Sequence, residues 1–386
     1  MRGIQLTAVA LSMALALSAC AGENGSSKDD PITIGVLTSL SGPLSSFGKT
    51  WLPAFEAGLE YATDGSMDVD GRPIKVKKVD DQSDQAAAIS GATELASDGV
   101  KIIAGTMSSG AVASLADFAE TNSILYMTGA ANTDTATGAN ELTFRGSRQS
   151  YQDVLALSSL LGEDARGKRL CMLAHDIEYG NTLVKVATSV LKDKVGEFKT
   201  ISVPFPTTDV SPYVLQVKSS DCGVLVPFLA GSVSDFWQAF AQQGIADDTL
   251  IVSNIGTRAD WPAYASAQTD NVRLFTSYFD GAADNEAATA MREALKKAGA
   301  DLDYASADGF GAAIALVEGA KKAGGDDPEA LAKALDGLEF DGPRGATTIR
   351  SGDHALLAPM FAFHFDGAKP TLDKEIPVDE LEPKQN

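Results

Sequence analysis

Two adjacent serines, Ser108 and Ser109, are the polar residues of this chain whose setting most suggests binding chemistry. They lie in the stretch AGTMSSGAVASLADFAETN (104–122), after a strand-like run and before an apolar-periodic helix. In an open parallel sheet, ligands bind beyond the carboxyl ends of the strands, and the following helix offers free backbone N–H groups there. Hydroxyls beside such N–H groups suit a carboxylate. The alternative is that Ser109 only caps its helix.

The elements that must position these serines alternate between strands and helices in a βαβ pattern. Strand-like runs such as ITIGVL and PIKVKKV alternate with helical patterns as far as Arg145, and the same alternation restarts with RLCMLA. Such alternation predicts a parallel sheet with helices on both faces. The sequence therefore predicts an α/β fold with two doubly wound parallel-sheet lobes.

Composition and charge narrow the class of protein. The 386 residues are 44% hydrophobic and 22% charged, which is typical of about two globular domains. Lys and Arg number 31 against 52 Asp and Glu, a net charge of −21. A surface this acidic repels phosphate backbones and anionic headgroups, so no nucleic-acid partner is expected.

The N-terminus has the pattern of a secretory signal. Arg2 precedes the apolar run LTAVALSMALALSAC, which is too short for a stable membrane anchor. The ending LSAC resembles a lipobox, in which Cys20 would be acylated and become the mature N-terminus. We therefore expect a signal peptide over 1–19, a flexible tether over 20–30 and a lipid-anchored protein on the extracytoplasmic face of a membrane. The alternative is an ordinary signal cut elsewhere.

Residues with catalytic potential are sparse. The three histidines are His175, His354 and His364, and neither a Gly-x-Ser-x-Gly elbow nor a Cys-x-x-Cys pair is present. The run GFGAAIA mimics part of a dinucleotide fingerprint but lacks the third glycine. No enzymatic activity, cofactor or metal site is expected.

Several motifs occur together in the order of a known family. They are GVLTSLSGPLSSFG near the start, GTMSSGAVASLA, GAAN at 129–132, EYG at 178–180 and GDHALLAPMFAFHFDG near the end. With the lipobox, they resemble type I periplasmic binding proteins, in the Leu/Ile/Val-binding branch that serves ABC importers. The resemblance implies a monomer that traps a small molecule between two lobes and delivers it to ABC permease subunits in the membrane. A ligand-sensing lipoprotein that acts through a signalling partner remains the alternative.

The resemblance also implies a three-segment hinge and a set of binding residues. The crossovers fall near Arg145, Asp280 and Ala358, so that lobe 1 comprises 31–144 and 281–357, and lobe 2 comprises 145–280 and 358–386. The ligand-binding residues carried over from the family are Ser108 and Ser109 for a carboxylate, Ala130 and Asn132 for the α-centre, and Phe47 and Tyr179 to cover the ligand.

Two departures from the family pattern affect the expected ligand. Asn254 stands where the family often has an acid, and Arg148 lies near the place of a second acid. An ammonium group in a dehydrated cleft needs an anionic partner, so these changes favour an amide, a urea-like molecule or a small carboxylate. Asp153 or Asp280 is the alternative anionic partner, and Arg148 is a second candidate for holding a carboxylate. Trp51 and Trp261 are further candidates for the cleft lining.

The remaining cysteines, Cys171 and Cys222, are expected to form a disulfide. An exported protein favours pairing, and the two residues precede or begin the first and third strands of lobe 2, which are neighbours in doubly wound sheets. The alternative is a pair of buried free thiols.

Overall fold

The computed structural model describes residues 30–383. Sixteen strands and thirteen α-helices make up this part of the chain. In chain order they are β1 (Ile32–Thr38), α1 (Ser45–Ala62), β2 (Asp68–Val69), β3 (Arg72–Asp80), α2 (Gln85–Ser97), β4 (Ile102–Gly105), α3 (Ser109–Thr121), β5 (Leu125–Thr128), β6 (Thr143–Phe144), α4 (Ser150–Leu161), β7 (Arg169–His175), α5 (Glu178–Val190), β8 (Glu197–Val203), α6 (Ser211–Lys218), β9 (Val224–Phe228), α7 (Ser234–Gln242), α8 (Ile245–Asp248), β10 (Leu250–Asn254), α9 (Trp261–Ser266), β11 (Val272–Thr276), α10 (Glu286–Ala298), α11 (Tyr304–Ala323), α12 (Pro328–Leu335), β12 (Glu339–Gly342), β13 (Gly345–Ile349), β14 (Leu356–Leu357), β15 (Met360–Asp366), β16 (Lys369–Ile376) and α13 (Val378–Leu381).

The strands form two large sheets with the same central order. One has the order β2-β3-β1-β4-β5-β6 and is parallel except for β2. The other has the order β16-β15-β11-β10-β9-β7-β8, with β15 and β16 antiparallel at one edge. Among the parallel strands of each sheet, the first lies between the next two in the chain: β1 between β3 and β4, and β7 between β8 and β9. The predicted fold class, two doubly wound parallel-sheet lobes, is confirmed.

Helices cover both faces of each sheet, as the sequence pattern predicts. Lobe 1 is the six-stranded sheet with α1 and α10–α12 on one face and α2 and α3 on the other. Lobe 2 is the seven-stranded sheet with α6–α9 on one face and α4, α5 and α13 on the other. The small sheet of β12, β13 and β14 packs on the core of lobe 1.

The chain passes between the two large sheets three times. It leaves lobe 1 between β6 and α4, returns after β11, and crosses again between β14 and β15. Arg145 lies at the first crossing, fully buried, and its guanidinium donates to the backbone oxygens of Thr133 (2.7 Å) and Arg148 (2.6 Å). These bonds stabilise the irregular backbone of the crossing, whose carbonyl groups would otherwise be buried without partners.

A disulfide joins Cys171 to Cys222, with their Cα atoms 5.7 Å apart. Strands β7 and β9 are parallel neighbours, with Leu170 opposite Val224, so the bond lies at the amino ends of these strands. The disulfide therefore lies at the opposite end of these strands from their carboxyl ends.

The signal peptide, most of the tether and the acylation site at Cys20 lie outside the described residues. Within residues 30–383, none of the helices has the length and hydropathy needed to span a bilayer.

Candidate functional site

A cavity of about 270 Å³ lies between the lobes, where the carboxyl ends of both sheets face each other. Lobe 1 lines it with Leu44, Phe47, Ser83, Met107, Ser108, Ser109, Gly110, Ala130, Asn132 and Tyr304. Lobe 2 lines it with Ile177, Glu178, Tyr179, Phe205, Pro227, Leu229, Ala230, Gly231, Val233, Trp237, Ser253, Asn254, Ile255, Gly256 and Tyr264. This is the position that doubly wound topology predicts for a ligand.

The turn that carries the two serines depends on a glycine. Gly105 ends β4 with φ +116°, and a Cβ there would lie 1.6 Å from the carbonyl oxygen of Leu37 in β1. Only glycine permits both this backbone angle and this close approach of the two strands. Strand β4 can therefore lie tightly against β1 and turn directly into the serine pair.

A buried carboxylate organises the backbone beneath the serines. Asp81 is fully buried and accepts hydrogen bonds from Ser39 Oγ (2.6 Å), Ser83 N (2.9 Å) and Thr106 Oγ1. The hydroxyl oxygen of Thr106 in turn accepts from Ser108 N at 3.1 Å. This chain of bonds ties three loops of lobe 1 together and fixes the start of α3.

The serine hydroxyls are not used as helix caps. Ser108 occupies the N-cap position of α3, and its side chain makes no capping hydrogen bond. Ser109 is already the first helical residue, so the alternative that it serves as the N-cap is wrong. Both residues line the cavity, where their hydroxyls and the first N–H groups of the helix can meet a ligand.

The rest of the cavity is largely aromatic. Six rings line it: Phe47, Tyr179, Phe205, Trp237, Tyr264 and Tyr304. Tyr179 O–H accepts a hydrogen bond from Asn254 Nδ2 at 3.0 Å. Burial raises the pKa of both the Tyr179 and the Tyr264 phenols, so both stay neutral at physiological pH. Such walls suit a ligand with a sizeable apolar body.

Glu178 is the one acidic side chain among the lining residues, and none of these residues is Lys, Arg or His. Its Oε1 accepts from Thr133 Oγ1 (3.1 Å), which belongs to lobe 1, and from Thr182 Oγ1 (3.0 Å). The carboxylate therefore joins the lobes as well as lining the cavity.

Seven of the predicted binding residues come together around this cavity. They are Phe47, Ser108, Ser109, Ala130, Asn132, Tyr179 and Asn254. Asn132 is 5% exposed, and its Oδ1 has no hydrogen-bond partner within residues 30–383. An acceptor left without a partner beside the cavity is available to a ligand donor.

Arg148 does not reach the cavity, which corrects the expectation that it could hold a carboxylate. It is buried, and its Nε donates to Asp153 Oδ1 at 2.5 Å, so each charge has the other as its partner. Its guanidinium carbon lies 4.8 Å from the ring centroid of Tyr304, behind the cavity wall, and Nη1 donates to Ser277 Oγ at 3.2 Å. Asp153 is therefore not a free anionic partner for a ligand.

The two tryptophans and Asp280 also lie away from the lining. Trp51 is fully buried in the core of lobe 1, stacked on Phe55 with ring centroids 4.7 Å apart. Trp261 packs on the core of lobe 2 beneath Arg258. Asp280 forms a surface ion pair with Arg292 (2.8 Å). Each expectation that placed these residues at the cleft is therefore corrected.

Sequence reasoning missed several lining residues, among them Glu178, Phe205, Trp237, Tyr264 and Tyr304. The signal for Glu178 was its position at the start of the helix that follows β7. Tyr304 starts α11 and reaches the cavity only because the chain returns to lobe 1, which no local pattern reveals. His175, by contrast, is buried beside the cavity lining with its pKa lowered by burial to about 4, and Nδ1 accepts from Ala230 N (2.9 Å).

Comparison with known proteins agrees with this architecture. The model of the periplasmic binding protein family matches residues 31–370. A Leu/Ile/Val-binding protein homologue of Brucella melitensis is 26% identical over 351 residues, which cover 88% of this chain and 92% of the relative.

Solved structures share the fold over nearly the whole chain. An ABC-type branched-chain amino acid transporter protein of Rhodopseudomonas palustris is 28% identical, with a TM-score of 0.72 and 91% of this chain and 98% of that one covered. A solute-binding protein of the same organism, solved in complex with 4-hydroxybenzoate, has a TM-score of 0.80 at 21% identity, covering 90% and 96% of the two chains. The chain therefore belongs to the periplasmic binding protein family, whose members related to it are solute-binding proteins and not enzymes.

Proposed function

We propose that this protein captures a small carboxylate with an apolar body and delivers it to an ABC importer. The observation that carries the proposal is the Ser108 hydroxyl, which lines the cavity and is not used to cap its own helix. With Ser109 and the N-terminus of α3 it makes a donor-rich end that suits a carboxylate. The aromatic walls of the cavity suit the apolar body of such a ligand.

The charge of the cavity favours an acid without an ammonium group. Asn254 stands where the family often has an acid, and Arg148, which lies near the place of a second acid, is outside the lining. Glu178 remains, but one of its oxygens already accepts from two threonine hydroxyls. Burying an ammonium group without a full negative partner would cost roughly several kcal/mol of binding free energy, as it does for other buried unpaired charges.

An α-amino acid is the second candidate, and Glu178 is the observation that favours it. Its second carboxylate oxygen could accept from an ammonium group. Proteins similar to this chain include both a branched-chain amino acid transporter protein and a solute-binding protein in complex with 4-hydroxybenzoate.

Matched ligand pairs that differ only in the ammonium group separate the two candidates. We expect 4-methylpentanoate to bind at least about tenfold more tightly than leucine, and 3-phenylpropionate more tightly than phenylalanine, by titration calorimetry. Glu178→Gln keeps an acceptor for the threonines and should leave acid affinities within about twofold. Tighter binding of the amino acids, lost in Glu178→Gln, would establish the amino-acid ligand instead.

The lipid anchor and the transport role are part of this proposal. A Cys20 acylated with two or more chains would hold the protein stably at the membrane, whereas one chain would not. Metabolic labelling with a fatty-acid analogue should mark the wild type, and Cys20→Ser should abolish the label. Equal labelling of the variant would refute the anchor.

Transport and sensing are distinguished in cells. Deletion of the gene should reduce uptake of the radiolabelled acid that binds most tightly, and complementation should restore it. Normal uptake together with a lost transcriptional response to that acid would favour the sensing alternative.

A further inference from the structure

Tyr264 has an unused proton at the lobe 2 end of the cavity. Its phenol oxygen accepts a hydrogen bond from Gly256 N at 2.9 Å, and its ring packs on Trp237 with centroids 4.3 Å apart. The indole N–H of Trp237 is only a donor, so neither Gly256 N nor this ring accepts the phenol proton.

The phenol proton consequently has no acceptor among residues 30–383. Tyr264 is 3% exposed, and burial keeps it protonated. A buried donor without a partner is costly, and the cavity that Tyr264 lines is the place from which an acceptor can come.

Tyr179 repeats this arrangement. Its oxygen accepts from Asn254 Nδ2, so its proton is also free to meet a ligand. Exchanging the oxygen and nitrogen of the Asn254 amide would let Tyr179 donate to Asn254, but an amide N–H would then be left over in place of the phenol proton. In both arrangements this pair presents a donor to the cavity.

We propose that the ligand carries a neutral oxygen acceptor, a hydroxyl, carbonyl or ether group, that binds the Tyr264 hydroxyl at the end of the molecule away from its carboxylate. An ammonium group at that end would offer only donors, and the Tyr264 proton would still lack an acceptor. A second carboxylate would lack a cationic partner, since none of the lining residues is Lys, Arg or His. The ligand class is thus an oxygen-substituted monocarboxylate; the carboxylate part of this inference rests on the proposed function.

Paired ligands test this without knowing the natural ligand. Benzoate, phenylacetate and 3-phenylpropionate are titrated against their 4-hydroxy and 4-methoxy derivatives. We expect the oxygen to raise affinity by about three- to tenfold in at least one series, as one neutral hydrogen bond should. The methoxy group can only accept, so its gain shows that the protein supplies the donor.

The variant Tyr264→Phe should erase that gain, measured as the ratio of the affinities of the substituted and unsubstituted acids for the variant. Tyr213→Phe, in α6 and outside the cavity lining, is the matched control and should keep the gain. Urea unfolding of the variants without ligand checks that they remain folded. An oxygen that brings no gain in any series, or a gain that survives Tyr264→Phe, overturns the inference.

The corresponding carboxamides separate this inference from the proposed function. If the amides bind as tightly as the acids, the carboxylate assignment fails. The gain from the oxygen and its loss in Tyr264→Phe are then measured on the amides, and the same two outcomes decide the role of Tyr264.

Discussion

The two lobes present different chemistry to the same cavity. Lobe 1 contributes small polar side chains, Ser108 and Ser109, and the free N–H groups at the start of α3. Lobe 2 contributes large rings and phenol groups, such as Trp237 and Tyr264. Both faces lie at the carboxyl ends of sheets with the same strand order, so the difference arises from the loops and not from the topology.

This difference suggests a division of labour between the lobes. Backbone N–H groups and short hydroxyls on a rigid turn bind charge and tolerate little variation in ligand shape at that point. Large side chains on lobe 2 determine which apolar part of a ligand fits. A ligand that contacts both faces would stabilise the closed arrangement, because both sets of contacts form only when the lobes are together.

Tyr304 is one of two rings that lobe 1 contributes, and Arg148 at the first crossing supports it. We expect Arg148→Met to lower the free energy of unfolding by about 3–5 kcal/mol, because Asp153 would be left buried without its cation. Urea unfolding measures this. The control Arg292→Met breaks the exposed pair with Asp280 and should cost at most about 1 kcal/mol. Equal effects of the two variants would contradict this role for Arg148.

The disulfide stabilises lobe 2 at the amino ends of its strands, on the side away from the cavity. The cysteines are 51 positions apart, and closing a loop of that size restricts the unfolded chain by up to about 4 kcal/mol. The double variant Cys171→Ala, Cys222→Ala should lose about 2–4 kcal/mol of stability and keep its ligand affinity within about twofold. Titration of denatured, unreduced wild type should find neither thiol free. Two reactive thiols, or a large loss of affinity in a folded variant, would contradict this separation of stability from binding.

One contact between the lobes has a pH signature. Asp303 of lobe 1 caps α11 and accepts from Arg258 N of lobe 2 at 3.1 Å, and burial raises its pKa to about 6. Because the folded-state pKa exceeds the unfolded one, this group stabilises the fold below about pH 4 and loses that contribution as pH rises through 6.

From pH 7 to pH 5, the wild type should therefore gain about 1 kcal/mol of stability relative to Asp303→Asn, which keeps acceptor and cap but cannot titrate. Urea unfolding of both proteins at the two pH values measures the difference. Parallel changes in the two proteins would show that Asp303 does not titrate in this range.

The sequence predicted what local periodicity and chain order determine. The alternation of strands and helices predicted both lobes, and the position after β4 predicted that the serines face a ligand site. The prediction that Arg148 and Trp51 line the cleft was wrong, because packing from distant segments determines whether a side chain enters a cavity or the core. Tyr304 was missed for the same reason, since about 195 positions separate it from Ser109, with which it lines the cavity.

The central claim is that the serine pair binds the carboxylate of the ligand, and affinity measured beside stability tests it most directly. The acid that binds most tightly in the matched set is titrated by calorimetry into wild type, Ser108→Ala, Ser109→Ala and the control Ser114→Ala, which lies on the same helix outside the cavity lining. Urea unfolding without ligand gives the stability of each protein.

We predict that Ser108→Ala or Ser109→Ala, or both, weakens binding by roughly tenfold to a hundredfold, the effect of losing a hydrogen bond to a charged group of about 1.5–3 kcal/mol. Stability should change by less than about 0.5 kcal/mol, because neither hydroxyl caps α3. Wild-type affinity in both variants, with or without a capping-sized loss of about 1 kcal/mol in stability, would contradict the account.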